Sequence, residues 1–207
     1  MLVLEGARIQ YSHLTLSYPD MHIAAGEFVG ISGASGCGKT SLLEALVGRD
    51  FRGEFSCERA LLVGRDIRML GEARYRLLSY CPQFAQNALN PKLTMRQHLR
   101  LTLKGNGLSY DQEKIEVLLE RLRLSVTLLD HYPAMLSGGQ KQRFVLFLCA
   151  VKQPELLILD EPSSALDVIT LRDIVSFLTD LRGKTTIIMA SHSQQLLSKA
   201  ADQIISF

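Results

Sequence analysis

The chain of 207 residues lacks a long apolar run, a paired-cysteine spacing, internal repeats and an excess of one charge sign. Its longest unbroken apolar run is Phe144 to Val151. A bilayer crossing needs about 20 such residues, so no segment reads as a transmembrane helix. Met1-Leu2-Val3-Leu4-Glu5 has no basic stretch leading into an apolar one, so no secretory leader is expected. The four cysteines, Cys37, Cys57, Cys81 and Cys149, show no C-x-x-C pattern. That excludes a zinc ribbon or a disulfide frame and predicts reduced thiols. Net charge is +2, with acids and bases interleaved. Such a balance makes no electrostatic case for nucleic acid as the main partner. Arg65, Arg68, Arg74 and Arg76 cluster locally, and the expectation for them is a solvated face.

What is present points to a packed globular chain. The apolar fraction is 47% and the mean hydropathy +0.11, enough for a core and too much for disorder. The length suits one sizeable domain, or one domain with an insertion. Strand-like stretches open the chain at Arg8 to Gln10, Leu14 to Tyr18 and Phe28 to Ile31, with another at Ala60 to Val63. Ile115, Leu118, Leu119 and Leu122 make one helical stripe. Residues 138–151 are apolar nearly all round, as a buried helix is. Leu156-Leu157-Ile158-Leu159 reads as a buried parallel strand. Leu171, Ile174, Val175, Leu178 and Leu181 predict a helix that Gly183 stops. Thr186 to Ala190 and Asp202 to Ile205 are further strands. Strands alternating with helices imply an α/β fold on a mixed or parallel sheet. Its N-terminal part is β-rich, and residues 85–137 read as a mainly helical insertion.

Gly33-Ala34-Ser35-Gly36-Cys37-Gly38-Lys39-Thr40 is a complete phosphate-binding loop, G-x-x-x-x-G-K-[ST], followed by Ser41. A strand precedes it, and Leu42, Leu43, Leu46 and Val47 follow at helical spacing, which is the context the motif requires. The glycines let backbone N–H groups turn towards an anion, and the new helix adds its positive end. Lys39 would reach the β- and γ-phosphates, and the Thr40 hydroxyl would ligate Mg²⁺. Cys37 is read as a tolerated variable position of this loop.

Two further patterns belong with it. The apolar strand ending in Asp160-Glu161 would hold two carboxylates beside the loop. Asp160 is suited to Mg²⁺ through water, and Glu161 to polarising an attacking water. In Leu136-Ser137-Gly138-Gly139-Gln140, Ser137 can cap the helix that follows and the glycines leave its first amides bare. That makes a second anion site. One nucleotide does not need two such sites from one chain; two chains facing each other do.

These motifs together resemble the ATP-binding subunit of an ABC transporter, a P-loop NTPase of ABC type. Gly33 to Thr40 resembles that family's Walker A loop, Leu136 to Gln140 its signature motif and Leu156 to Glu161 its Walker B strand. Ser164-Ala165-Leu166-Asp167 resembles the D-loop. Gln83, after Tyr80-Cys81-Pro82, resembles the Q-loop glutamine, and His192, after Ala190-Ser191, the switch histidine. The resemblance implies ATP and Mg²⁺ as ligands and a head-to-tail dimer enclosing two ATP molecules. Lys39, Thr40, Gln83, Asp160, Glu161 and His192 would act on one ATP, and Ser137, Gly138, Gly139 and Gln140 on the other. Gln83 would contact Mg²⁺ and the γ-phosphate. Tyr11 is the expected adenine-stacking residue, since aromatics stack on bases; Tyr18 is the alternative. The expected layout is an ATP-binding core, 1–84 and 150–207, around a helical signature subdomain, 85–149.

Cys81-Pro82-Gln83, Ala88-Leu89-Asn90-Pro91, Thr94-Met95 and Tyr132-Pro133 are most similar to the oligopeptide, dipeptide and nickel importer group. Members of that group usually continue past the position of Phe207. They also carry an arginine where Leu148 stands. The resemblance implies an ATPase that drives transport of a small solute (peptide, metal or metal complex) through separate membrane-spanning permease subunits. It would be cytoplasmic and peripheral on the inner face of the cell membrane, paired with a second ATPase subunit of the same or another kind. The alternative function is an ABC-type ATPase of a non-transport cytosolic complex.

Overall fold

The computed structural model describes residues 1–48, 51–162 and 168–207, with Val168 and Ile169 as backbone alone. The D-loop-like residues Ser164, Ala165, Leu166 and Asp167 lie outside the described residues. Strands β1 (Leu2–Glu5), β2 (Arg8–Gln10), β3 (Thr15–Ser17), β4 (Met21–Ile23) and β5 (Phe28–Ser32) lead into helix α1 (Lys39–Val47). Then come β6 (Glu54–Ser56), β7 (Arg59–Leu62), β8 (Arg65–Asp66), the short α2 (Arg74–Leu77) and β9 (Leu78–Cys81). Helices α3 (Met95–Gly105), α4 (Gln112–Arg121) and α5 (Gly138–Ala150) follow, with two short 3-10 turns between α4 and α5. The chain closes with β10 (Leu156–Asp160), α6 (Val168–Asp180), β11 (Thr186–Ser191), α7 (Gln194–Ala200) and β12 (Gln203–Ser206).

The central sheet is parallel, in the order β12-β5-β11-β10-β9. Two small antiparallel sheets, β4-β1-β7-β8 and β3-β2-β6, come from the N-terminal part. The central strands are buried on both faces, and alternate residues enter two separate clusters. Val29, Ile31, Leu156, Ile158, Ile188 and Ala190 pack with α1 and the antiparallel strands. Phe28, Leu157, Leu159, Ile187 and Met189 pack with helical residues such as Phe144, Phe147, Phe177 and Leu197. This is the two-residue period of a strand, with a hydrophobic layer on each side. Gly30 stands where α7 comes closest: a Cβ there would lie 3.0 Å from Leu197 Cδ2.

The insertion carries no strand among its described residues, as expected. Helix α3, which no apolar stripe had marked, is set by a reciprocal cap. The Thr94 hydroxyl accepts from Gln97 N–H, and Gln97 Oε1 accepts from Thr94 N–H. Met95, Leu99 and Leu103 are its buried face. Strands β4, β6 and β9 were also unmarked. They run only three or four residues, too short for periodicity to declare them. One expectation is corrected: Arg74 is not on a solvated face. Its guanidinium, from the first residue of α2, turns inward to the carbonyls of Ile67 and of Leu46 near the end of α1, where a helix-end carbonyl needs a donor. Arg68 does remain at the surface, in a fork with Asp66 that holds that carboxyl down at about 2.

Phe147 of α5 is fully buried against Phe144, with ring centroids 5.4 Å apart. Phe147→Ala is expected to lower unfolding free energy by about 3–5 kcal/mol, the usual cost of a phenylalanine-sized cavity. Urea denaturation followed by circular dichroism measures it, and a loss under about 1 kcal/mol would contradict this packing.

Candidate functional site

Parallel strands end on one edge, and that edge carries the chemistry. In register, Asp160 of β10 stands opposite Ala190 of β11, and Ala190 opposite Ile31 of β5. The phosphate-type loop therefore leaves β5 at the same level as Asp160-Glu161 leave β10. His192 follows β11 directly, and Gln83 follows β9 after Pro82. Ser35, Gly36, Gly38, Lys39, Thr40 and Ser41 form one wall of a cleft of about 560 Å³. Gln83, Glu161 and His192 form another, and Tyr11, Leu14 and Leu16 a third.

Helix α1 differs from α3, α4, α5 and α7, each of which has a side chain capping its first turn. Its N-cap is Gly38, and no side chain accepts from its leading amides. Those N–H groups are open to an anion in the cleft. Gly38 has φ +98°, and a Cβ would meet Leu16 Cδ1 at 2.7 Å and the Tyr18 hydroxyl at 2.8 Å. Only glycine fits there. Tyr18 donates its hydroxyl to the Gly38 carbonyl at 3.0 Å. It is buried beneath the loop, where desolvation raises its pKa. Tyr11 instead lies half-buried on the cleft wall, edge-on to Phe51 with centroids 6.3 Å apart.

Lys39 is 6% exposed, and its ammonium donates to the carbonyls of Gly33 at 2.8 Å and Ala34 at 3.0 Å. Glu161 Oε1 lies 3.9 Å from it. The other Glu161 oxygen, Oε2, is 2.9 Å from His192 Nδ1. Glu161 has φ +44°, left-handed backbone for a residue with a side chain. That costs about 1–2 kcal/mol and is held by its own N–H donating to Ala190 O at 2.9 Å. The sharp turn at the strand tip leaves its carboxylate between a lysine and a histidine.

Asp160 is buried at the end of β10. Burial raises its pKa, opposed by hydroxyl hydrogen bonds from Thr40 and Tyr80. Neighbouring Glu161 adds to the rise, and Lys39 opposes it. Tyr80 OH reaches Oδ2 at 3.3 Å, while Oδ1 is buried with no hydrogen-bond partner among the described residues. A buried carboxylate oxygen without a donor suits a cation. Among the described residues, no group of three His, Cys, Asp or Glu could hold a metal alone. A divalent ion would therefore draw on the Thr40 hydroxyl, Gln83 and oxygens of the substrate. Tyr80 was not picked out from the sequence as a site residue. Its position in β9 beside β10 is what brings it to Asp160.

Ser137, Gly138, Gly139 and Gln140 do not line this cleft. Ser137 caps α5, its hydroxyl accepting from Gln140 N–H at 3.2 Å, and Gln140 Oε1 accepts from Ser137 N–H at 2.9 Å. Ser137 and Gly138 are exposed, and a Cβ on Gly138 would meet nothing within 4 Å. The chain thus has one anion-type helix end inside its cleft and another facing outward. A larger hollow, about 660 Å³, lies by α4 and includes Val117, Pro154 and Leu181. It holds none of the expected site residues, which the smaller cleft gathers.

A family model described as "ABC transporter" matches residues 16–164. The dipeptide transport ATP-binding protein of Caldanaerobacter subterraneus subsp. tengcongensis is 34% identical over 187 residues, covering 84% of this chain and 57% of that protein. An Fe(3+) ions import ATP-binding protein of Rhizobium meliloti is 37% identical, covering 90% of this chain and 46% of that protein. The chain thus spans about half the length of the curated relatives it matches. Among solved structures, an ATP-binding subunit of an ABC transporter superposes with a TM-score of 0.82 at 24% identity, over 100% of this chain and 85% of that one. A dimeric ATP-binding cassette with ADP and phosphate superposes with a TM-score of 0.79 at 23% identity, over 100% of this chain and 94% of that one. These two establish the fold. The matched span runs from strand β3 through the loop, the capped helix α5 and the tip of β10, and on this ground the chain belongs to the ABC transporter ATP-binding family.

Proposed function

We propose that this chain hydrolyses ATP and thereby powers movement of a small solute, a peptide, metal or metal complex, through separate membrane-spanning subunits. The observation that carries the hydrolytic step is Glu161, held 3.9 Å from the Lys39 ammonium and 2.9 Å from His192 at the mouth of the cleft. The triphosphate would lie along the uncapped start of α1, replacing the Gly33 and Ala34 carbonyls as partner of Lys39. Tyr11 would take the adenine. Glu161 accepts the proton of the attacking water, and His192 orients Glu161 and the γ-phosphate. The Thr40 hydroxyl, Gln83 and Asp160 would hold Mg²⁺, which would supply neutralisation of phosphate charge. Ser137, Gly138, Gly139 and Gln140 face away from the chain's own cleft. They would meet the nucleotide of a second ATPase subunit in a head-to-tail dimer. Product release then reopens the pair. The division into a core, 1–84 and 150–207, and a helical signature subdomain, 85–149, belongs to the same proposal. So does a place on the inner face of the cell membrane. Among the described residues no helix is long and apolar enough to cross it.

Glu161→Gln is expected to lower ATP turnover by about 10²–10⁴-fold, the usual weight of a general base, while ATP still binds. Phosphate release and a fluorescent ATP analogue read the two quantities, and near-normal turnover would remove Glu161 from its role. Lys39→Ala is expected to abolish useful ATP binding; unchanged affinity by calorimetry would sink the loop assignment. Asp160→Asn tests the carboxylate. A raised folded pKa means that, without metal, stability falls as pH rises from the unfolded to the folded pKa and the full cost stands above it. The metal-free variant should therefore melt higher at neutral pH, each kcal/mol appearing as about 2–4 °C, and lose Mg²⁺-dependent hydrolysis. A lower melting temperature would show that Asp160 is satisfied as it stands. For the transport assignment, the Glu161→Gln chain is isolated from detergent-solubilised cells with ATP and Mg²⁺. Multi-spanning membrane proteins in the eluate are the expected result; soluble enzymes or scaffolds alone would overturn it.

A further inference from the structure

Asp173 stands in α6, on a helix that otherwise buries Ile174, Phe177 and Leu178. Its carboxyl side chain is only 4% exposed. Taking a carboxylate out of water costs several kcal/mol unless cations replace the lost hydration. Two approach it, from different elements, although among the described residues Oδ2 itself makes no hydrogen bond. Arg143 Nη1 of α5 lies 3.5 Å from Oδ2. Arg123 Nη2, just past the end of α4, lies 3.2 Å from Oδ1.

Arg123 sits in the turn that ends α4, where its N–H donates to Glu120 O and Leu124 N–H to Leu119 O, both at 2.8 Å. Arg123 has φ +51°, directly after Leu122 caps α4. Glycine is the usual residue for that left-handed position, and an arginine there costs about 1–2 kcal/mol. Such a residue persists where its surroundings over-determine it. Here the side chain it carries ends on Asp173.

A second contact runs beside the clasp. A Cβ on Gly139 would lie 3.2 Å from Thr170 Oγ1. Residues 139 and 143 are four apart on α5, and 170 and 173 are three apart on α6, so each pair lies on one helix face. The two helices therefore meet at adjacent turns, once by close approach at Gly139 and once by charge at Arg143. Gly139 is part of the outward-facing helix start, and α6 follows the Glu161 strand tip in the chain.

We propose that Asp173 is a positioning residue: through Arg143 and Arg123 it sets where the Ser137–Gly139 end of α5 stands relative to the sheet that carries Glu161. This rests on the reading that the Ser137–Gly139 amides meet a partner's nucleotide. Asp173 touches no reacting atom; it acts on α5 through Arg143 and on the end of α4 through Arg123. Buried ion pairs add little net stability, and their better-attested use is to specify one arrangement over others. Asp173 would serve that use, holding α5 in a single register against α6.

The test uses full-length Asp173→Asn without nucleotide. Hydrogen exchange of the amides of residues 138–143 is expected to quicken about tenfold, a local opening. Those of α1 should stay unchanged, and ATP affinity should hold within about twofold because the loop is untouched. In the assembled complex, turnover per folded chain at saturating ATP should fall about tenfold with KM nearly unchanged. A lowered melting temperature with exchange quickened everywhere alike and normal turnover per folded chain would overturn the proposal, as would no change at all. Should the variant not fold, Arg123→Met removes the exposed arm. It should quicken exchange at the same amides to a smaller extent, and no local change there would equally overturn it. If Lys39→Ala keeps full ATP affinity, the nucleotide reading fails while the exchange result still decides the clasp.

Discussion

In-register parallel pairing of β5, β11, β10 and β9 is the constraint on which the site depends. Each strand is short and buried on both faces, so slipping the register by one residue would exchange the two apolar sets. Val29, Ile31, Ile158 and Ile188 serve one cluster, and Phe28, Leu157, Leu159 and Met189 the other. Both layers must be satisfied together. Once they are, residues far apart in the chain leave the sheet at one level. Gln83, Glu161 and His192 come to face Lys39 without any one of them contributing much to the core.

Electrostatics at that edge is arranged for an anion that the chain itself does not supply. Among the described residues helix α1 starts without a side-chain cap, Lys39 donates to carbonyls of its own loop with Glu161 3.9 Å away, and Asp160 Oδ1 has no hydrogen-bond partner. Each is a modest cost in the bare chain, and each is relieved by a phosphate or a cation. Glu161 adds a left-handed backbone at the strand tip. Departures from local rules thus gather at one place, as they do at functional sites. The sheet and the two apolar layers absorb them.

The outward-facing start of α5 follows a different logic. Ser137 and Gln140 cap each other's N–H there, and among the described residues none of 137–140 lines the cleft of its own chain. Its placement rests on neighbours instead: the close approach of Thr170 to Gly139, and the charge of Asp173 against Arg143 and Arg123. The cleft is built from strand ends and the second site from helix packing.

Much of this was legible in the chain itself. The glycine loop before an apolar helical pattern, the four-residue apolar strand ending in two acids, and the Ser-Gly-Gly helix start are local signals, because each needs only neighbouring residues. They determined the α/β class, the loop residues and the candidate acids. The Thr94-Gln97 cap was equally legible and marks α3, though its apolar residues are too sparse to announce the helix alone. Tertiary structure decided the rest. Strands β4, β6 and β9 are too short to declare a period. Arg74 turns inward only because the start of α2 lies by the end of α1. Tyr11 and Tyr18 are alike in sequence, and only the fold puts one on the cleft wall and the other beneath the loop. Tyr80 reaches Asp160, and Asp173 its two arginines, across gaps of 80, 50 and 30 residues. Local pattern reports what a segment can become. Contacts at such separations depend on which strands pair and which helices meet, and that is settled by burying both faces of one sheet at once.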